Sequence, residues 1–514
     1  MFSSSSPEVY LLVSAGLVGI TVQLFLQSQR VSSSSRRSAR HHDVIAKLNA
    51  IPTVGSTNWG GSWRSAIKNI RGTSGVVQEG YNRYKNVPFK IPLLYNWMVV
   101  VSGAKLLEEV KAAPDDQLSA AEGTNDFLKI AFTMGHRVAN EPYHFVVIKT
   151  QLNRKLSSLC PIVEDEISVA LSEVFSSQEW KPVVALEAIQ KVVSGASNRI
   201  FVGLPLCRNP DWLEFGLQFA VDSLSAARRA FIFDDIISRI IASLVTSTES
   251  QVGRAVEFLG PIIRERQKIA DRARSGEVVN MPDDFLQWLI DTGIETTERE
   301  ITQRILVMVF ASVHVTASSL MCAVYNLAAH PEYLEPLREE VDTVVRQHGW
   351  TKAATDKMYK IDSFLKESLR LGGASSLIML RKVLKDFTFS DGRVIPRGCY
   401  ISAPSCAIHH DEEFYDKPNA FDPFRFVRPR SNGKDMKQGM VSLAPDYLAF
   451  GHGKHACPGR FAAAMIQKTI LAHIVSSYDL KLDDDAPASC RTVEFGIFIA
   501  PDPTTTVLLR KRAT

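Results

Sequence analysis

Apolar residues recur at helical spacing along most of this chain. Between residues 155 and 275 several segments place them three and four apart, Phe258–Arg274 (FLGPIIRERQKIADRAR) among them. Such stripes predict amphipathic helices packed on a core. Strand patterns are few and short. Asn96–Gly103 (NWMVVVSG) is β-branched and stops at glycine. Phe387 and Phe389 alternate with polar residues, Asp391-Gly392 supplies a turn, and Val394-Ile395 returns, which predicts a hairpin. No internal repeat is visible, and no second long linker interrupts residues 51–514. The pattern predicts one large, mainly α domain with small peripheral β-sheets.

Two stretches lack charge altogether. The first contains an apolar run, Val9 to Leu26, of 18 residues. At 1.5 Å per residue it spans about 27 Å, close to the hydrocarbon thickness of a bilayer. The start, MFSSSSPE, carries no Lys or Arg, which argues against a cleavable signal peptide. Arg30, Arg36, Arg37, Arg40 and Lys47 follow the span and Glu8 precedes it. Residues 1–29 are therefore expected to form an N-terminal transmembrane helix with the bulk of the chain on the cytosolic side. Residues 30–50, basic and serine-rich, read as a linker, and Pro52 and Gly55 mark the start of the folded body.

The second stretch runs from Ile305 to Ala329. Thr297-Glu298-Arg299-Glu300 is a capping box that opens it, and Pro331 helps to end it. Its length would suit a second membrane span. Ser312, His314, Thr316, Ser318 and Ser319 lie at its centre, however, and such a polar cluster is costly in lipid. A helix buried through a globular core accounts for both features.

Composition narrows the function. The chain has 514 residues, 45% hydrophobic and 22% charged, which excludes a disordered scaffold. Net charge is +4, too small for a nucleic-acid binder. Seven scattered cysteines with no C-x-x-C pair suggest neither a secreted disulfide framework nor a structural zinc site.

The most informative segment is Phe450–Phe461, FGHGKHACPGRF. Its three glycines, cysteine and proline predict a tight loop, and helical periodicity resumes after it. Glycines let backbone approach a flat ligand. The following helix directs its N-terminal dipole at the Cys457 sulfur, which favours a thiolate. Phe450, Gly453, His455, Cys457 and Gly459 match F-x-x-G-x-(R/H)-x-C-x-G. The loop resembles the haem-binding loop of the cytochrome P-450 superfamily. Upstream, Glu367 and Arg370 resemble its E-x-x-R pair, 90 residues before Cys457, and Phe424-Arg425-Phe426 resembles the segment whose arginine completes that triad. The resemblance covers roughly residues 51–505, and it is closest in character to fungal members of the ent-kaurene-oxidase-like group.

The resemblance implies Cys457 as the axial thiolate of haem b (iron protoporphyrin IX) and as the metal ligand. It implies His455, Arg381 and His144 as propionate partners, and Glu367, Arg370 and Arg425 as structural groups. The long helix would cross the distal face. There Ala311-Ser312-Val313-His314-Val315-Thr316 stands where the family has (A/G)-G-x-(D/E)-T-(T/S). Val315 supplies no hydroxyl, so His314 or Thr316 is expected to carry protons. The implied pocket comprises Phe310, Ala311, Val315, Ala374, Ser375, Leu377, Ile378, Ile497 and Phe498, with no fixed charge converging on it. The implied activity is monooxygenation of a bulky apolar substrate, a terpenoid of fungal secondary metabolism, with O2. No flavin or nicotinamide module is visible, so electrons would come from a separate membrane-bound NADPH-dependent cytochrome P-450 reductase, with NADPH acting only through it. The implied setting is the endoplasmic reticulum. Two other readings stay open on the residues: a reductase-independent haem-thiolate isomerase or dehydratase, since Val315 weakens oxygen activation, and a non-catalytic haem sensor or carrier.

Overall fold

The computed structural model describes residues 35–56, 59–231, 248–427, 439–487 and 489–512. The expected anchor, residues 1–29, lies outside them. Part of the expected linker differs from its reading: Ser35–Asn49 is helical. Its C-terminal end joins the folded body, because Lys47 Nζ lies 2.7 Å from Asp386 Oδ2 and the Leu48 carbonyl accepts from Lys90 Nζ at 2.6 Å.

Helices dominate. Those that frame the interior are α1 (Leu156–Val174), α2 (Ala185–Phe201), α3 (Pro210–Phe231), α4 (Thr248–Arg274), α5 (Glu298–Ala329), α6 (Tyr359–Leu371) and α7 (Arg460–Ser477). The 32-residue α5 is the axis of the core and packs against α2, α3, α4, α6 and α7. Its start is set by the predicted cap, with Thr297 Oγ1 accepting from Glu300 N at 3.3 Å. Ile305, Val309, Val313, Ala317 and Leu320 are fully buried, one turn apart, which gives α5 a continuous face toward its neighbours. It is also the one described helix long and apolar enough to cross a membrane, and two thirds of its most apolar window is buried in protein. The core-helix reading therefore holds.

A buried ion pair fixes the N-terminal end of α5. Arg304 is wholly enclosed and its Nε and Nη2 donate to Glu295 Oε1 at 2.9 and 2.7 Å. Its guanidinium also lies 4.5 Å from the Tyr143 ring centroid. The pair ties α5 to the segment that carries His144.

The sheets are small. β1 (Phe89–Pro92), β2 (Trp97–Val100), β3 (Leu118–Ser119), β5 (Ile378–Val383) and β8 (Tyr400–Ala403) form one sheet in the order β1-β2-β8-β5-β3. The predicted strand at Asn96–Gly103 supplies β2, with Met98, Val99 and Val100 fully buried. β4 (Lys181–Val184), β9 (Tyr478–Lys481) and β12 (Thr506–Lys511) make a second sheet in the order β4-β12-β9. The predicted hairpin appears as β6 (Phe387–Thr388) and β7 (Val394–Ile395), turning at Gly392 with φ 86°. β10 (Thr492–Phe495) and β11 (Phe498–Pro501) form another hairpin.

One irregularity positions the site. Between Ile378 and Arg381, β5 carries one residue more than its partner β8, and Met379 takes a φ of 58°. This bulge breaks the period-two alternation of the strand. Ile378, Leu380 and Arg381 all reach the same interior cavity as a result.

Candidate active site

The cysteine loop closes on itself before α7 begins. Cys457 N donates to Phe450 O at 2.9 Å and Gly451 N to Leu448 O at 2.8 Å. Gly451 and Gly453 have φ of 74° and 75°, a conformation that favours glycine. A Cβ on Gly453 would lie 2.3 Å from Lys111 Cγ, so this glycine lets the loop pack on the helix Ala104–Ala112. Gly453 does not line the cavity. Phe450, His455, Cys457 and Gly459 do line it.

The cavity holds about 530 Å³ and is walled mostly by apolar atoms. The Cys457 side chain opens into it while protein surrounds the residue on its other sides. Burial pushes the thiol up from its ordinary range, whereas the Gly459 and Arg460 amides and the Arg460 guanidinium pull it down. Those donors are the first groups of α7, as the helix dipole argument requires.

Across the cavity lies α5. Ala311, Ser312, Val315 and Thr316 face it, and Val315 is 55% exposed although it sits mid-helix in the core. The expected pocket residues Ala374, Ser375, Leu377, Ile378, Ile497 and Phe498 are also on its wall. On α5 two of the expected residues lie off the cavity wall. Phe310 does not line the cavity and packs instead against Met134, Val138 and Val307. His314 is likewise absent from the wall; its Nδ1 lies 3.2 Å from Gln190 Nε2 on α2. Burial pulls its pKa down, so the ring is neutral near pH 7. Helix phase decides the matter, because consecutive residues point about 100° apart. The residue that fills the wall beside Val315 is Thr316, whose hydroxyl makes no hydrogen bond to a helix carbonyl among the described residues.

The cationic groups are arranged unevenly. Arg381 is 4% exposed, and Nη1 donates only to Leu380 O, at 2.9 Å. No carboxylate lies within ion-pair distance of it among the described residues, and burial pulls its pKa down to about 10. His455 is partnered already, with Nε2 2.7 Å from Asp115 Oδ1, and burial is the chief cause that lowers its pKa. His144 Nδ1 accepts from Arg304 Nη1 at 3.2 Å, and burial followed by that guanidinium lowers its pKa to about 4. It is therefore a neutral hydrogen-bonding group on the cavity wall and not a cation. His452 was not anticipated. It lines the cavity with a buried Nδ1 that has no protein partner. Its place between Gly451 and Gly453 gave no signal of this, because flanking glycines leave a side chain's direction open.

Comparison with known proteins gives the same answer as this geometry. A family model for cytochrome P450 matches residues 73–508. The chain belongs to the cytochrome P450 family. It is 38% identical to cytochrome P450 monooxygenase 151 of Postia placenta over 475 residues, 91% of this chain and 95% of the relative. It is 33% identical to cytochrome P450 monooxygenase CYP512U6 of Ganoderma lucidum over 474 residues, 90% of this chain and 92% of the relative. It is 30% identical to ent-kaurene oxidase P450-4 of Gibberella fujikuroi over 476 residues, 90% of this chain and 93% of the relative. The chain is thus a cytochrome P450 monooxygenase, a family whose cofactor is a haem-thiolate iron.

The residues present suit that cofactor. A cavity wall that carries a thiol at one point, and at another a buried guanidinium with no ion-pair partner among the described residues, suits an electron-poor centre and an anion. A haem carries groups of both kinds, an iron that a thiolate can hold and propionates that a guanidinium can pair. His452 Nδ1 and His144 add hydrogen-bonding capacity on the same wall.

The Glu367 triad lies beneath the loop. Glu367 and Arg370 on α6 are fully buried and paired through two bonds, Nε to Oε2 at 2.7 Å and Nη2 to Oε1 at 2.8 Å. Arg425 Nε reaches both Glu367 oxygens, at 3.1 and 3.2 Å. Asp422 N donates to Glu367 Oε1 at 3.1 Å. None of the three side chains lines the cavity, as a structural role requires. Removing the carboxylate strands two guanidinium groups, at a cost of about 3–5 kcal/mol. Glu367→Ala is expected to yield little haem-loaded protein on purification, read as the haem-to-protein absorbance ratio. A haem-replete variant with wild-type thermal stability and only a raised KM would contradict the assignment.

Proposed function

We propose that this P450 hydroxylates or oxidises a bulky, largely apolar substrate, a terpenoid of fungal secondary metabolism, at the cavity between α5 and the Cys457 loop. The observation that carries the reading is the thiol of Cys457 opening into an apolar cavity under the N-terminus of α7. The overall balance is one C–H bond converted to C–OH, with O2, two electrons and two protons consumed and one water released. The haem supplies dioxygen activation when bound, assisted by thiolate donation. Everything else falls to the chain.

Cys457 holds the iron and Arg381 pairs a propionate. His455, already bonded to Asp115, supports the loop edge, and His144 offers one neutral N–H. Val315, Ala311 and Ile378 shape the space for substrate and exclude water. Thr316 keeps a hydroxyl at the wall where Val315 provides none, and it orders the water that delivers protons. Electrons come from a separate NADPH-dependent reductase, docked on the face that carries Lys454 and Arg460. Residues 1–29 anchor the chain in the endoplasmic reticulum with its catalytic body toward the cytosol; that reading rests on their sequence alone. The terpenoid assignment is supported by the likeness to one relative, an ent-kaurene oxidase.

Two variants test the roles. Cys457→Ala is expected to lose the red-shifted Soret band of the reduced carbon-monoxide complex entirely. Retention of that band in this variant, with its loss in another cysteine variant, would move the ligand elsewhere. Thr316→Val is expected to divert most NADPH electrons to peroxide while haem content and substrate affinity hold, and His314→Ala is expected to leave coupling unchanged. The opposite ranking of the two variants would return the proton route to His314.

A further inference from the structure

Arg381 and Arg228 each line an interior cavity and form no ion pair with a carboxylate among the described residues. The haem accounts for Arg381. Arg228, in the last turn of α3, has no role in the reading above. It stands on the wall of a small annex of about 40 Å³ that adjoins the main cavity, the two sharing Phe127, Leu128, Ile497 and Phe498. Arg228 is the one charged residue on the annex wall among the described residues.

Its surroundings are apolar. The guanidinium carbon lies 4.6 Å from the Phe495 ring centroid, and Nε is buried without a hydrogen-bond partner. Burial pulls its pKa down, and no charge among the described residues offsets this. The other polar groups nearby are engaged elsewhere. Asn69 Nδ2 donates to Pro92 O at 3.0 Å, and Thr73 Oγ1 bonds Ser376 Oγ and Gly496 O at 2.5 and 2.9 Å. The carboxylate of Glu494, next to Phe495, accepts from Ser74 N at 3.3 Å. A partly buried cation with no counterion is unfavourable and is commonly retained for a ligand. A planar, narrow, singly charged group would fit a space of this size and match the guanidinium fork.

We infer that Arg228 recognises a carboxylate carried at one edge of an otherwise apolar substrate, whose oxidised carbon lies at the Cys457 end. This deepens the proposed function and rests on it. It also revises the expectation that no fixed charge serves the pocket. The substrate class becomes a lipophilic acid, and the acid group sets which end of the molecule enters last. Relatives of the substrate that lack the acid, or carry it as an ester, would bind in more than one orientation.

The test uses the haem-loaded, full-length enzyme and matched probes: palmitic, dehydroabietic and ursolic acids, each beside its methyl ester. Dissociation constants are measured by calorimetry for the wild type, Arg228→Gln and Arg228→Lys. The wild type is expected to bind at least one acid more tightly than its ester. Arg228→Gln should weaken that acid on the order of 10- to 100-fold while leaving the ester within about twofold, as for loss of one charged hydrogen-bonding pair. Arg228→Lys should recover part of the preference. An equal loss for acid and ester, no loss, or no acid preference in the wild type would each overturn the inference. Failure of the monooxygenase reading would show separately, as a wild-type protein without the red-shifted carbon-monoxide band.

Discussion

A single buried carboxylate sets the geometry of the active-site floor. Glu367 takes Arg370 in a two-point pair and Arg425 beside it, and the arginines then gather backbone carbonyls from a segment that has little regular structure. Arg370 Nη1 donates to Pro418 O at 2.7 Å and to His409 O. Arg425 donates to Asp416 O at 2.6 Å and Ala420 O at 3.1 Å. Carbonyls that helices and strands would normally satisfy are satisfied here by side-chain charge. His409 relays the constraint. Its Nε2 accepts from Leu448 N at 2.9 Å, and its ring stacks on Tyr447. Burial and the nearby Arg370 hold its pKa at about 3, so it stays a neutral acceptor. Leu448 in turn bonds Gly451, and Phe450 bonds Cys457. The position of the cysteine sulfur is thus inherited from α6.

The opposite wall follows a different logic. On α5, one helix face is committed to core packing and the other to open space, and a residue's role depends on its phase. Val315 and Thr316 reach the cavity, whereas His314 between Val313 and Val315 turns toward Gln190 on α2. Thr316 is placed so that a polar atom remains beside an apolar wall. The bulge in β5 does the same for the third side, bringing Arg381 to the cavity against the strand's own alternation. A buried floor, a phased helix and a bulged strand together make a chamber walled mostly by apolar atoms.

Local signals were legible in the sequence. The glycine-rich loop, the E-x-x-R spacing, the α5 cap and the Asp391-Gly392 hairpin each occupy a few adjacent residues whose chemistry permits one conformation. Other features depend on partners remote in the chain. Helix periodicity alone does not give the absolute phase of α5, so it does not tell which of Phe310, His314, Val315 and Thr316 reach the cavity. Gly453 matches the motif, yet its reason is contact with Lys111, some 340 residues earlier. The β5 bulge and the isolation of Arg228 have no local signature, because both arise from what neighbouring elements supply or withhold. The helical run Ser35–Asn49 was masked by its serine and arginine content, which reads as linker until Lys47 and Lys90 are seen to tie it to the body.

The central claim is that the Glu367 network holds the Cys457 loop through His409. Amide hydrogen exchange on the haem-loaded Arg425→Gln variant tests it directly, because this change loosens the network without stranding a buried charge. Exchange should accelerate in the segments around residues 409–426 and 448–457, while α1 and the buried face of α5 keep wild-type protection. Unchanged exchange in the cysteine loop, or uniform acceleration throughout the protein, would contradict the account.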